Sequence, residues 1–261
     1  MPSVLLIGTG RLAFHLGHAL KGSDVVLAGV VGRNAGHAAT LATELGCSPF
    51  TLGTALPPAD LRILAVSDDA IGPVAQGLPN DGTPLLHLSG TKPLELLEPH
   101  AHRAVLWPMQ SFTPGPPVDF STVPVVIDAN DDRTLALVRA LAEGISGHVV
   151  HLPFEQRQRL HLSAVMTSNF PVFLLREAER LLDQHGIDPK LLHPLWKQSA
   201  ENALRDADQA VTGPARRGDA GTMAKHLELL NEEPELRRAY AILSNLIYFT
   251  YHPESRGRQD L

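Results

Sequence analysis

The feature that most restricts this chain's fold lies at its start. The apolar run Ser3–Ile7 (SVLLI) ends in Gly8-Thr9-Gly10, and RLAFHLGHALK follows at once, with Leu12, Leu16, Ala19 and Leu20 at helical spacing up to Gly22. A buried strand that turns through glycine straight into a helix opens a β–α–β unit, which imposes parallel strands. Further apolar runs at 25–31, 62–66, 84–88, 104–107, 123–127 and 148–152 alternate with helical patterns, among them Ala35–Leu45 and a helix expected to be capped by Asp131. Continuous rather than alternating apolar runs suit strands covered on both faces. After Pro153 the spacing is helical throughout. The expectation is an α/β fold: a doubly wound dinucleotide-binding domain over 1–152, followed by an all-α domain over 153–261.

The glycines have separate tasks. Gly8 permits a tight turn, Gly10 lets a diphosphate approach the backbone, and Ala13 is small enough for close helix–sheet packing. The helix start then offers free N–H groups and a positive dipole end to the anion. Gly8, Thr9, Gly10, Arg11, Leu12 and Ala13 are therefore the expected cofactor loop. At the end of the second strand stands VVGRN, with Arg33 and Asn34 where an enzyme for the unphosphorylated cofactor usually places a carboxylate. A guanidinium pairs with a 2′-phosphate, so NADP(H) is expected over NAD(H); the other reading of Arg33 is a solvated charge. Ser67 and Asp68 follow a strand-like run at the carboxyl edge of the sheet, where ligands bind, and Asp69 is expected to cap the next helix. In HLSGT (His87–Thr91), Ser89 and Gly90 are expected to line the nicotinamide end. His87 either points into the same cleft or is a hydrogen-bonded core residue. Gln110 either binds substrate or braces its loop.

Composition removes several functions. The net charge is −6, and residues 1–150 carry 8 basic against 13 acidic residues, so neither half has the basic surplus for nucleic acid. The single cysteine, Cys47, excludes an internal disulfide and fits a reducing compartment. No apolar run reaches the length of a membrane span and no signal-peptide pattern opens the chain, so a cytoplasmic location is expected. His100 and His102 are the closest histidine pair, but no second ligand cluster accompanies them and no metal is expected. A nucleophile elbow of the G-x-S-x-G type is absent.

Together GTGRLA, GRN, LAVSDDAI, HLSGT, WPMQSF, HLSAVMTSNF and TGPARRGD span nearly the whole chain. In these pieces the sequence resembles the Rossmann-like oxidoreductases that carry a helical C-terminal domain of unknown function. These are relatives of pyrroline-5-carboxylate reductase and the 6-phosphogluconate dehydrogenase clan. The resemblance implies a nicotinamide-dependent oxidoreductase, often a homodimer through its helical domain. One departure matters: the hydroxyacid dehydrogenases of that clan use a lysine four residues before an asparagine on the first long helix of the second domain. Here the asparagine is Asn169 and the earlier position is Val165. The stretch TSNFPVF instead resembles pyrroline-5-carboxylate reductase, which turns the expectation toward reduction of a C=N bond or a related carbonyl.

Hydride transfer belongs to the cofactor, so the protein must orient a substrate and handle one proton. His161, as proton donor, and Asn169, as substrate ligand, are the expected contributors from the second domain, joining Ser89 and His87; the alternative is that they brace the domain interface. Pro171 is expected to interrupt this helix and free backbone groups near Asn169. Arg216 or Arg217 either clamps a substrate carboxylate or belongs to helix punctuation, with Asp219 as the next cap. The reading is an NADP-dependent reductase of a small imine or carbonyl compound. The rival is an NADP(H)-binding sensor or scaffold without catalysis.

Overall fold

A computed structural model describes residues 1–255; residues 256–261 of the predicted second domain lie outside the described residues. The strands are β1 (Ser3–Ile7), β2 (Val26–Gly32), β3 (Pro49–Thr51), β4 (Leu61–Leu64), β5 (Leu85–His87), β6 (Arg103–Pro108), β7 (Val125–Ala129) and β8 (Val149–His151). They form one sheet in the order β3-β2-β1-β4-β5-β6-β7-β8. The first six are parallel, β7 runs antiparallel to β6, and β8 is parallel to β7. The reversal at β7 departs from the expected all-parallel sheet, and its cause is the connection. Parallel strands need a crossover, usually a helix, but Pro114, Pro116 and Pro117 deny the 109–124 segment one. It folds back so that the Met109 N–H donates to the Pro124 carbonyl at 2.8 Å. Short β3 carries no apolar pattern that would have announced it.

Helices α1 (Arg11–Lys21), α2 (Ala35–Leu45), α3 (Ile71–Gln76), α4 (Asp132–Glu143) and α5 (Phe154–Ala164) accompany the sheet. Beyond a π-helical turn, Val165–Asn169, come α6 (Phe170–Gln184), α7 (Leu192–Arg205), α8 (Ala207–Ala210), α9 (Pro214–Arg217), α10 (Ala220–Leu229) and α11 (Pro234–Tyr251). Asn34, Asp131 and Asp219 cap α2, α4 and α10, each accepting from a first-turn N–H. Asp69 is not a cap. It lies in a 3-10 turn begun by Ser67, and its carboxylate pairs with Lys92 at 3.7 Å.

Every side chain of β1 after Ser3 is fully buried because both faces are covered. Val4 and Leu6 pack in one cluster with Leu16, Leu20, Leu41 and Leu45; Leu5 and Ile7 pack in the opposite cluster with Ile71, Leu85 and Leu97. That two-sided burial explains the uninterrupted apolar run. The proline-rich loop is tied down by buried His15 of α1. Its Nδ1 lies 3.3 Å from the Val118 N–H that donates to it, and its Nε2 lies 3.0 Å from the Thr113 carbonyl.

The chain divides into two compact units at Phe170/Pro171. Strand content ends earlier, at His151, and every later described element is helical. The first unit therefore includes α5 and the π turn. Pro171 does not break the helix as expected: the backbone widens into π geometry over 165–169 and continues. A proline lacks the N–H an α-helix requires there, and a π register accommodates the mismatch. In the second unit, Arg180 of α6 pairs with Glu233 through two bonds of 2.7 and 2.9 Å. Neither α6 nor α7 contains a buried residue. No helix among the described residues is long and apolar enough to cross a membrane.

Candidate functional site

The chain crosses from one side of β1 to the other between β3 and β4, and the carboxyl ends of β1, β2 and β4 open there into a groove of about 880 Å³. Open α/β sheets bind ligands at such a switch point. Gly8 holds the turn at φ +134°, with its N–H donating to the Val31 carbonyl at 2.8 Å. A Cβ on Gly8 would stand 2.0 Å from the Ala65 carbonyl oxygen, so only glycine fits. Gly10 is different: a Cβ there meets nothing within 4 Å. Its bareness opens the groove rather than relieving a clash. No side chain caps α1 and its first turn has no acidic residue, which leaves amide donors and a positive helix end for an anion. These features fit a dinucleotide's diphosphate.

Gly8, Thr9, Gly10, Arg33, Asn34 and Ser67 line the groove. Ala13 is buried behind it, Arg11 is exposed beside it, and Leu12 packs against the core. Asn34 has a structural task as well, because its Oδ1 accepts from the His37 N–H at 3.0 Å. His37, which sequence reasoning missed, is another lining residue.

Beyond the groove, at the end of β5, lies a second arrangement. The Ser89 hydroxyl donates to Asp68 Oδ2 at 2.9 Å, and the Thr91 hydroxyl donates to the same oxygen at 3.0 Å. The backbone of Ser89 is held from both sides. Its N–H donates to His87 Nδ1 at 3.1 Å, and its carbonyl accepts from Arg157 Nη1 at 3.2 Å. Arg157 also donates to the Lys92 carbonyl at 2.9 Å and lies 3.5 Å from the Asp128 carboxylate. It is fully buried, as is His87. Burial, and next the nearby Arg157 charge, push the His87 imidazole down to about 4. With Nδ1 accepting, the neutral ring carries its proton on Nε2. The structure thus seats His87 in the core under the Ser89 turn, not in the cleft.

Trp107 links this turn to α5. A Cβ on Gly90 would come 2.6 Å from its indole, and the His161 ring centroid lies 5.7 Å from that of the indole. Ser89, Gly90 and His161 are therefore gathered around one tryptophan. Asn169 is not brought to them: it is exposed in the π turn, its Oδ1 accepts from the Ser168 hydroxyl at 3.0 Å, and no hydrogen bond or ring contact among the described residues joins it to that group. Gln110 braces its own loop by accepting from the Ser111 N–H at 2.8 Å. Arg216 is engaged within the helical unit, lying 3.9 Å over the Tyr251 ring and donating to the Asp208 carbonyl at 3.0 Å. His100 and His102 diverge, toward the Ala75 carbonyl and Asp131 respectively. No cluster of three metal-ligating side chains occurs among the described residues.

Arg157 also escaped sequence reasoning, since FEQRQRLHL reads as a solvated face. Its signal was spacing: it stands three residues after Phe154 and four before His161, on the face that packs inward.

Residues 123–247 match a family described as a domain of unknown function, DUF2520. A Bacteroides fragilis protein proposed to be an NADP oxidoreductase is 30% identical over 95% of this chain and 98% of its own, with a TM-score of 0.84. The chain belongs to this family of Rossmann-like NADP oxidoreductases. Within the family's architecture, a Thermotoga maritima protein is 27% identical over 97% of this chain and 100% of its own, with a TM-score of 0.74. An imine reductase from Myxococcus stipitatus, solved with NADP+, shares the fold at 16% identity over 99% of this chain and 96% of its own, with a TM-score of 0.64. Curated proteins offer no match.

Proposed function

We propose that this chain is an NADP-dependent reductase of a small imine or carbonyl compound bearing a carboxylate, acting in the cytoplasm as a homodimer through its helical unit. One observation carries the cofactor reading. The groove at the β1 switch point is lined by the turn before an uncapped helix start and by Arg33, and no carboxylate lines it among the described residues. A 2′-phosphate would be repelled by an acidic residue at the β2 end and paired by a guanidinium. The imine reductase that shares this fold was solved with NADP+, and a variant of it with NAD+.

The bound nicotinamide supplies the hydride; the chain's own residues have the smaller tasks. The Ser89–Gly90 turn, fixed by His87 and Arg157, presents a hydroxyl beside Asp68 for orienting a polar substrate. His161, half-buried against Trp107, is the proton donor to a carbonyl oxygen; an iminium substrate arrives with its proton already in place. Exposed apolar side chains on the long helices of the second unit support the dimer: Phe173 and Val172 on α6, Leu195 on α7, and Ile242 and Leu246 on α11.

Calorimetric titration with NADP+ and NAD+ tests the cofactor preference. NADP+ should bind more tightly, and Arg33→Ala should lose about tenfold in NADP+ affinity while leaving NAD+ unchanged. Incubation with NADPH and a panel of cyclic imines, 2-oxo acids and aldehydes then tests catalysis by loss of absorbance. Tight binding without turnover across the panel would favour the sensor reading, for which Val165 in the lysine's place is the motivating observation.

A further inference from the structure

We propose that Asp68 is a specificity-determining residue. With the Ser89 and Thr91 hydroxyls it forms an acceptor-only, negatively charged cluster that takes a cationic N–H donor, a protonated imine, in preference to a carbonyl oxygen. This rests on the reductase reading above and chooses between its two substrate classes.

Counting protons decides the polarity of the cluster. Ser89 and Thr91 have one hydroxyl proton each. Both are committed to Asp68 Oδ2, at 2.9 and 3.0 Å. The Ser89 hydroxyl oxygen also accepts from the Thr91 N–H at 3.2 Å. Toward a ligand the two hydroxyls therefore offer lone pairs and no proton. Asp68 Oδ1 has no hydrogen-bond partner among the described residues, and a carboxylate only accepts.

The charge of the cluster is unanswered as well. Among the described residues no cation pairs with Asp68, and the basic side chains of this neighbourhood have other partners. Lys92 pairs with Asp69 at 3.7 Å; buried Arg157 holds the Ser89 and Lys92 carbonyls and lies 3.5 Å from Asp128. Asp68 is exposed and so open to a ligand, whereas Ser89 is buried, its backbone held by His87 and Arg157. Ser67, the residue before Asp68, lines the dinucleotide groove, and Gly90, the residue after Ser89, lies against Trp107, which His161 also contacts. The cluster thus adjoins both the cofactor groove and the proposed proton donor.

A carbonyl oxygen brought here would meet lone pairs and a negative charge. To be held, it must take a hydroxyl proton away from Asp68, at the loss of a charge-assisted bond. A protonated imine has what the cluster lacks, an N–H and a positive charge. Its reduction balances without an acid. Hydride addition to the imine carbon sends the C=N π pair to nitrogen, leaving a neutral amine as NADPH becomes NADP+, and a solvent proton then converts the amine to an ammonium. A carboxylate on the substrate has to lie away from Asp68. Solvent reaches this aspartate, so screening keeps the preference modest.

The test is a ligand-observed NMR titration of the full chain, saturated with NADP+, at about pH 7.5. The probes are pyrrolidine and piperidine, both cations there, and cyclopentanone and cyclohexanone, neutral rings of the same sizes. The wild type should bind each amine about tenfold more tightly than its ketone. Asp68→Asn should lose that preference while keeping its NADP+ affinity, measured by calorimetry. Thr91→Val, which leaves the carboxylate in place, should retain the preference. Amines that bind no better than the ketones, an undiminished preference in Asp68→Asn, or turnover of 2-oxo acids but not of cyclic imines overturns this inference alone. Equal loss of NADP+ and amine affinity in Asp68→Asn, with thermal unfolding unchanged, assigns the carboxylate to the cofactor and also overturns it. A wild type that binds no NADP+ removes the cofactor reading, and this inference falls with it.

Discussion

The sheet unit and the helical unit solve the burial problem differently. In the sheet unit, β1, β4, β5 and β6 are buried on both faces, and the large polar side chains that go under are anchored at one side at least: Arg157 reaches two carbonyls and lies beside a carboxylate, and His87 accepts a backbone N–H. Arg157 Nε and His87 Nε2 have no hydrogen-bond partner among the described residues. In the helical unit, α6 and α7 contain no buried residue, and large apolar side chains stand exposed on α6, α7 and α11. A helix whose apolar stripe meets nothing has not completed its packing. The sheet unit covers its apolar strands on both faces, whereas the helical unit leaves apolar stripes exposed, which is the surface the proposed dimer would use.

The sharpest way to break this contrast is to charge the helical unit. Phe173→Lys combined with Ile242→Lys should turn a dimer into a monomer, halving the mass seen by light scattering at micromolar concentration, with the NADP+ groove unaffected. A wild type that is already monomeric there would remove the dimer from the proposal. The sheet unit has its own weak point. Arg157→Met should destabilise it by about 3 kcal/mol in a denaturant titration, because buried Asp128 would lose the guanidinium and keep only the His151 imidazole 3.4 Å away. Loss of under about 1 kcal/mol would mean that His151 or solvent compensates Asp128.

A smaller effect sharpens the same point through pH. His87 in the folded chain is held at about 4, below the ordinary imidazole value near 6.5, so the unfolded chain binds the extra proton first. The stability contributed by the neutral ring is complete above pH 6.5 and is lost as the pH falls toward 4, in all by about 3 kcal/mol. His87→Gln should have a shallower acid dependence over that window, measured as the urea midpoint at successive pH values. An unchanged dependence would show that another group controls acid unfolding.

Much of this was legible in the chain. The Gly8-x-Gly10 turn between an apolar run and a helical repeat required a β–α–β start, and the positions of β1, α1 and α2 followed to within a residue. The Asp131 and Asp219 caps needed only local chemistry. What escaped reading depended on distant partners. Whether His87 faced a cleft or the core was decided by Arg157, which lies 70 positions along the chain. Asp69 looked like a cap but pairs with Lys92. The direction of β7 was decided by where a proline-rich loop could lie, held by His15 of a distant helix.

By itself, the sequence determined the local elements and the diphosphate turn, because spacing, glycine stereochemistry and capping act over a few residues. Only the tertiary structure decided which polar side chains are buried and which face the groove. Burial and the partners that permit it are properties of segments far apart in the chain, and no short-range pattern carries them.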